Sequence, residues 1–228
     1  MQLFGTDGIR GKVEVTNISN EDALSYYLEK RILTPTLMRL IGEAVAIELI
    51  NRHENLTPKV VIGWDNRPDN IHLTKALTQG LAIQGCDVHW AGEIATPGLH
   101  YCVLKSGYEG GLMVTASHNP AHDSGLKVFD ELGFKTYPER EDEISNIVVN
   151  LVSEDRELDE EYLETLSKPS IVFDGSIKYQ NGLKNRLESI QEMWDIKLED
   201  AIGLEVISSN GLLLDSSKGA NVDWLSSW

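Results

Sequence analysis

The stretch Lys59-Val60-Val61-Ile62-Gly63-Trp64-Asp65-Asn66-Arg67-Pro68-Asp69 carries the fold decision. Its first part is a short apolar run of strand length, and Asp65 to the end is turn chemistry. Helical spacing of apolar residues follows over 73–83, with Gly85 placed to cap the helix C-terminus. The pattern then recurs. Asp87-Val88-His89-Trp90 reads as a strand, 97–104 as a helix, and Gly111-Leu112-Met113-Val114-Thr115 as a buried strand. Leu126-Lys127-Val128-Phe129 is a further short strand, Glu131-Leu132-Gly133 its turn, and 141–152 a helix. Upstream, Thr34-Pro35 reads as an N-cap followed by proline at the first helical position. Leu37, Leu40, Ile41, Ala44, Val45 and Leu49 continue that helix, which is expected to end before residue 55. Alternating strands and helices without repeats predict a layered α/β domain with a mostly parallel sheet, whose ligands bind where loops cluster at strand carboxyl ends.

At about 150 residues per domain, 228 residues correspond to roughly one and a half domains. Lys168-Pro169-Ser170 is the candidate boundary, giving a first domain over 1–170 and a second unit over 171–228. That second unit reads as a helix over 178–193, then Gly211-Leu212-Leu213-Leu214-Asp215 as a buried strand entering the turn Ser216-Ser217-Lys218-Gly219-Ala220. It is expected to be incomplete, because one strand and part of a helix cannot close a core.

Hydrophobic residues are 41% and charged residues 25%, which suits a chain able to bury a core and excludes collagen-like and disordered classes. No apolar run of about 18 residues occurs, so no bilayer span is expected. The opening Met1-Gln2-Leu3-Phe4-Gly5-Thr6-Asp7 has neither the basic nor the apolar region of a secretory signal. Cys86 and Cys102 suit a reducing cytoplasm as small buried hydrophobes. Twenty Lys plus Arg against 36 Asp plus Glu give a net charge of −16, a field that repels nucleic acid and anionic membranes. A small phosphorylated ligand remains compatible where cations cluster locally. The acid-rich region over 139–164 reads as a solvated helix face.

Three loops carry candidate chemistry. Phe4-Gly5-Thr6-Asp7-Gly8-Ile9-Arg10-Gly11 combines permissive glycines with a cation able to fork a phosphate, or is an ordinary glycine-rich hairpin. In the second, Arg67 either pairs structurally with Asp65, the preferred reading, or faces an anion. The third, Thr115-Ala116-Ser117-His118-Asn119-Pro120, directly follows the most apolar strand and should expose the Ser117 hydroxyl among backbone N–H groups. Lys127 can return to the same loop face. A serine, a polar neighbour and a cation fit phosphoryl handling better than acyl transfer. Adjacent Ser117 and His118 diverge in extended backbone, and no Gly-x-Ser-x-Gly elbow occurs, so a serine hydrolase is disfavoured. His118 and His122 have metal-ligand spacing but lack further zinc ligands. Trp64, Trp90 and Trp194 read as core or half-buried aromatics.

Taken together, these loops with Thr96-Pro97 and Asp123-Ser124-Gly125-Leu126-Lys127 closely resemble the first domain of the α-D-phosphohexomutases, in order and in spacing. The opening is most similar to that of the phosphoglucosamine mutases, and Leu213 to Ala220 resembles the first strand and turn of the family's second domain. The resemblance implies a three-layer α/β/α domain with a mixed, mostly parallel sheet, in a four-domain isomerase of phosphotransferase type. Ser117 would carry the phosphoryl group between the 6- and 1-positions of a hexose or hexosamine phosphate through a bisphosphate. It further implies Lys127 as general acid/base, His118 beside the phosphoserine, Arg10 as an active-site cation, and Asn119, Arg67, Thr6 and Gly8 at the substrate or phosphate. Mg²⁺ would bind Ser117 through its phosphate.

The family's Asp-Gly-Asp-Gly-Asp-Arg metal loop, Gly-Glu-x-Ser-Gly sugar loop and Arg-x-Ser-Gly-Thr phosphate loop do not occur here. Turnover by this chain alone is therefore not expected; the missing domains could come as a separate chain. The alternatives are a non-catalytic phosphosugar-binding or regulatory domain, or phosphoglucomutase/phosphomannomutase specificity. Ser124 stands where the family usually has Asn, and Asp69 where Ser commonly follows the arginine motif. The first should alter a loop hydrogen bond, and the second should weaken anion affinity.

Overall fold

A computed structural model describes residues 3–53, 57–154, 156 and 158–195. Among them a seven-stranded sheet runs in the order β2-β1-β6-β5-β3-β4-β7. The strands are β1 (Ile9–Val13), β2 (Ile32–Leu33), β3 (Lys59–Trp64), β4 (Asp87–Glu93), β5 (Gly110–Val114), β6 (Asp123–Asp130) and β7 (Ile171–Val172). β1/β2, β5/β3, β3/β4 and β4/β7 pair in parallel, whereas β6 runs antiparallel to both β1 and β5. The sheet is thus mixed and mostly parallel, as expected. The helices are α1 (Asn20–Lys30), α2 (Pro35–His53), α3 (Asn70–Ile83), α4 (Thr96–Ser106), α5 (Pro138–Ser153), α6 (Glu160–Thr165) and α7 (Gly175–Trp194).

Alternation along the central strands divides the core between two faces. Val60, Ile62, Leu112, Val114, Leu126 and Val128 join residues of α1, α2, α3 and α5 in the larger cluster. Val61, Met113 and Phe129 point the other way, onto Leu99, Cys102 and Val103 of α4. Helices on both faces give the three-layer α/β/α arrangement. Burial pushes the Cys86 thiol up to about 12 and Cys102 to about 11, and both cysteines are free.

α2 and α3 cross at backbone contact. A Cβ on Gly80 would lie 2.0 Å from the Arg39 carbonyl oxygen and 2.7 Å from the Glu43 nitrogen, atoms that cannot swing aside. Gly80→Ala is expected to force the helices apart and cost about 1–3 kcal/mol, read by urea denaturation. An unchanged midpoint would contradict this packing.

Every helix read from the sequence is present, with ends displaced by a few residues. Other elements were not foreseen. β1 emerges from the glycine-rich opening, and β2 is only two residues long. α1 buries only Ala23, Leu24 and Tyr27, too sparse an apolar stripe to stand out, and owes its start to the Ser19 N-cap, which accepts from the Asp22 amide. α6 buries none of its residues. β7 is two residues long and exposed. Its backbone neighbours tie it to β4 through Ser170 N–H to Val88 O and Phe173 N–H to Trp90 O, at 2.8 and 2.9 Å. The boundary expected after residue 170 therefore falls between α6 and a strand that completes this sheet, and α7 lies against α4. The strand expected at 211–215 lies outside the described residues. Trp64 and Trp90 pack edge to face, but Trp194, last in α7, is exposed rather than half-buried. No helix among the described residues is long and apolar enough to cross a membrane.

Candidate phosphoryl site at the end of β5

β5 delivers Thr115, Ala116 and Ser117 to the carboxyl end of the sheet, where β3 delivers Asp65 and Arg67. Ser117 adopts φ +55°, a left-handed conformation unusual for a residue with a Cβ. Holding it costs on the order of 1–3 kcal/mol, which only an over-determined surrounding sustains. That surrounding is visible. The Ser117 amide donates to Thr115 Oγ1 (3.0 Å), and the Thr115 hydroxyl donates to Asp65 Oδ2 (2.6 Å). Asn70, fully buried at the start of α3, donates through Nδ2 to Asp65 Oδ1 (2.6 Å) and to Val114 O (3.1 Å).

Arg67 wraps the inside of the loop. Its Nε reaches Asp65 Oδ2 at 3.2 Å, and its Nη2 donates to the carbonyls of Ser117 (2.9 Å) and Asn119 (3.0 Å). Nη1 donates to the carbonyls of Pro120 and Asp123. All of these donors go to protein acceptors, the Asp65 carboxylate among them. A fork of fixed N–H groups satisfies several carbonyls at once, which an ammonium could not do.

On the other side of Ser117 stand the cations. Arg10, on β1, donates from Nη1 to Asn119 Oδ1 (3.1 Å), and its Nη2 lies 3.5 Å from Ser117 Oγ. The same Nη2 pairs with Asp7. Lys127, on β6, has its Nζ 3.2 Å from Asp7 Oδ2. Partial burial would raise the Asp7 carboxyl, but Lys127 and Arg10 together hold it below the usual carboxylate range. Asn119 also donates from Nδ2 to Asp123 Oδ2 (3.0 Å). His118 is exposed on the loop and lines an open cleft of about 630 Å³ with Ser117, Asn119, Thr96 and Pro97.

Four of the residues expected from the sequence, Ser117, Arg10, Asn119 and Lys127, thus come together, with Asp7 between the two cations. Gly8 shapes the turn that presents Asp7. It has φ +92°, and a Cβ there would stand 2.3 Å from Leu126 O. Thr6 contributes its carbonyl, which accepts from Lys135 Nζ at 2.7 Å. Ser124, on β6, donates to Asn70 Oδ1 at the start of α3, at 2.5 Å. Asp69 sits at the N-cap of α3 without a side-chain capping bond. Asp7, Asn70 and Thr115 were not singled out, since neither periodicity nor turn chemistry marks a residue whose partners lie on other strands.

A serine beside an arginine at a strand end, with Asp7 joining that arginine to Lys127, is the arrangement expected of a phosphohexomutase first domain. The family description "Phosphoglucomutase/phosphomannomutase, alpha/beta/alpha domain I" matches residues 1–154. The chain belongs to this family. It is 33% identical over 222 residues to the phosphoglucosamine mutase of Lactococcus lactis subsp. cremoris (strain MG1363), covering 94% of this chain and 43% of that protein. The phosphoglucosamine mutase of Staphylococcus haemolyticus (strain JCSC1435) is 34% identical over 203 residues, covering 89% and 41%. Among solved structures, a Thermus thermophilus protein assigned as a phosphomannomutase aligns with TM-score 0.51 at 29% identity, over 64% of this chain and 29% of that one. The chain spans less than half the length of these curated relatives.

The family implies Mg²⁺, and the residues around Ser117 do not by themselves fit it. Asp65 is engaged by Thr115, Arg67 and Asn70, and Asp7 by Arg10 and Lys127. Among the described residues no three His, Cys, Asp or Glu side chains converge on a common point. A hard cation that seeks several oxygen ligands would need more than this loop offers.

Proposed function

We propose that the chain carries the phosphoryl-transferring serine of a phosphohexomutase that interconverts hexosamine 6-phosphate and 1-phosphate, with glucosamine phosphate as the sugar. The observation carrying this reading is Ser117 Oγ, lifted by a left-handed backbone to within 3.5 Å of Arg10 Nη2. In the transfer, a sugar hydroxyl oxygen attacks the phosphorus on Ser117. The new P–O bond forms as the bond to Ser117 Oγ breaks, and the proton lost by the sugar is matched by one delivered to Oγ. The bisphosphate then turns over and returns its other phosphoryl group. Arg10 stabilises charge on the phosphoryl oxygens, and Lys127 is the proton carrier. Relatives that are phosphoglucosamine mutases at 33 and 34% identity support the choice of sugar.

Magnesium ligands and the sugar-reading loops would come from the remainder of the enzyme, in a cytoplasmic setting. The experiment is transfer from ³²P-labelled hexose 1,6-bisphosphate. The expected result is label on Ser117 only in the presence of the remaining domains, added as a second chain, and no label in Ser117→Ala. Mutase turnover of glucosamine 6-phosphate should likewise require both chains. Label that persists in Ser117→Ala would overturn the assignment of the carrier.

A further inference from the structure

A single oxygen of Asp7 holds both cations of the site. Oδ2 lies 3.2 Å from Lys127 Nζ and pairs with the Arg10 Nη2 that also faces Ser117 Oγ at 3.5 Å. Asp7 and whatever sits on Ser117 therefore draw on the same guanidinium nitrogen. The Asp7 side chain is 48% exposed, on a turn closed by Gly5 N–H to Gly8 O at 2.8 Å, so it is free to swing into water without unfolding anything. Lys127, at 14% side-chain exposure, cannot retreat in the same way.

We propose that Asp7 is a built-in stand-in for the phosphoryl group: it neutralises Arg10 and Lys127 when no phosphate is present and competes with a phosphate for them. This rests on the reading of Ser117 as the phosphoryl carrier. A phosphate brings about −1.5 to −2 charges and takes both cations, after which Asp7 becomes a like-charged neighbour and is expelled. Such a placeholder keeps two cations from repelling each other across an empty site. It also limits how tightly the site retains a dianion that must leave in each cycle.

The test is inorganic phosphate binding to the full chain, followed by calorimetry at low and high salt. Asp7→Asn and Asp7→Ser, both at a half-exposed turn position, are expected to bind phosphate about three- to tenfold more tightly, the range for releasing two partly exposed ion pairs. Asp7→Glu, which keeps the charge, should stay near wild type, and added salt should shrink the differences. Arg10→Gln should weaken binding in every background. If Arg10→Gln weakens binding but the Asn and Ser variants bind no more tightly than wild type, the placeholder is overturned and the phosphate cradle stands. Phosphate binding that is absent, or indifferent to Arg10→Gln, overturns both.

Discussion

Replacing Glu43 by alanine should destabilise the fold by about 3–5 kcal/mol, the largest effect expected of any single change away from the site. Glu43 is fully buried on α2, and both its carboxylate oxygens are taken by side chains packed around it. Oε1 takes the guanidinium of Arg39 one turn away, itself buried at 7% exposure. Oε2 accepts from Arg156 Nη2 at 2.9 Å and from Gln84 Nε2 at 3.1 Å. Burial pushes the Arg39 guanidinium down from its ordinary range, and Glu43 is what opposes that shift. Removing the carboxylate leaves the Arg39 positive charge in the helical layer without its carboxylate, although Arg39 Nη2 still donates to Asn20 Oδ1 at 2.6 Å.

At about 2–4 °C per kcal/mol for a chain of this size, the thermal midpoint should fall by roughly 10 °C. Glu43→Gln, which keeps hydrogen-bonding capacity but not charge, should fall between wild type and alanine. Breaking the exposed Lys12–Glu14 pair, at 3.4 Å, should move stability by less than about 1 kcal/mol. A Glu43→Ala protein as stable as wild type would show that the buried ion cluster contributes nothing to the packing of α2.

Arg67→Ala is expected to abolish ordered presentation of Ser117. The side chain satisfies carbonyls at 117, 119, 120 and 123 and is locked by Asp65, so its loss frees both the loop and the strained φ of Ser117. A misplacement of the order of 1 Å in a reacting group costs about 10²-fold, and phosphoryl uptake by the reassembled enzyme should fall by at least that factor. Stability should drop by only about 1–3 kcal/mol, since the freed carbonyls lie near water. Arg67→Lys should restore little uptake, because an ammonium cannot reach carbonyls on both arms of the loop. Rescue by lysine would mean that charge alone, and not the fork, holds the loop.

The two predictions mark where sequence reasoning stops. Ser117 was legible because an apolar run ends just before it, and Lys127 because a short strand returns to the same end of the sheet. Arg67 was legible as a residue of consequence, with pairing to Asp65 preferred, but its bonds to carbonyls of a loop distant in sequence were not. α1 and β7 escaped for a related reason. One buries few residues and the other is two residues long, so neither leaves a periodic trace.

What the amino-acid order determined on its own is the local grammar: which segments are apolar runs of strand length, which recur at helical spacing, and where turn formers interrupt them. That sufficed for the α/β class, for most element positions and for a serine at a strand terminus. Only the folded chain decided that Arg10 faces Ser117 from 107 residues away, that Asp7 sits between two cations and that Glu43 is sealed among arginines. The pairings of Arg10 and Lys127 depend on the strand order, which sets β1 beside β6 and β6 beside β5. Local preference acts over a few residues, whereas charge and hydrogen bonding act through space, between groups that sequence distance keeps apart.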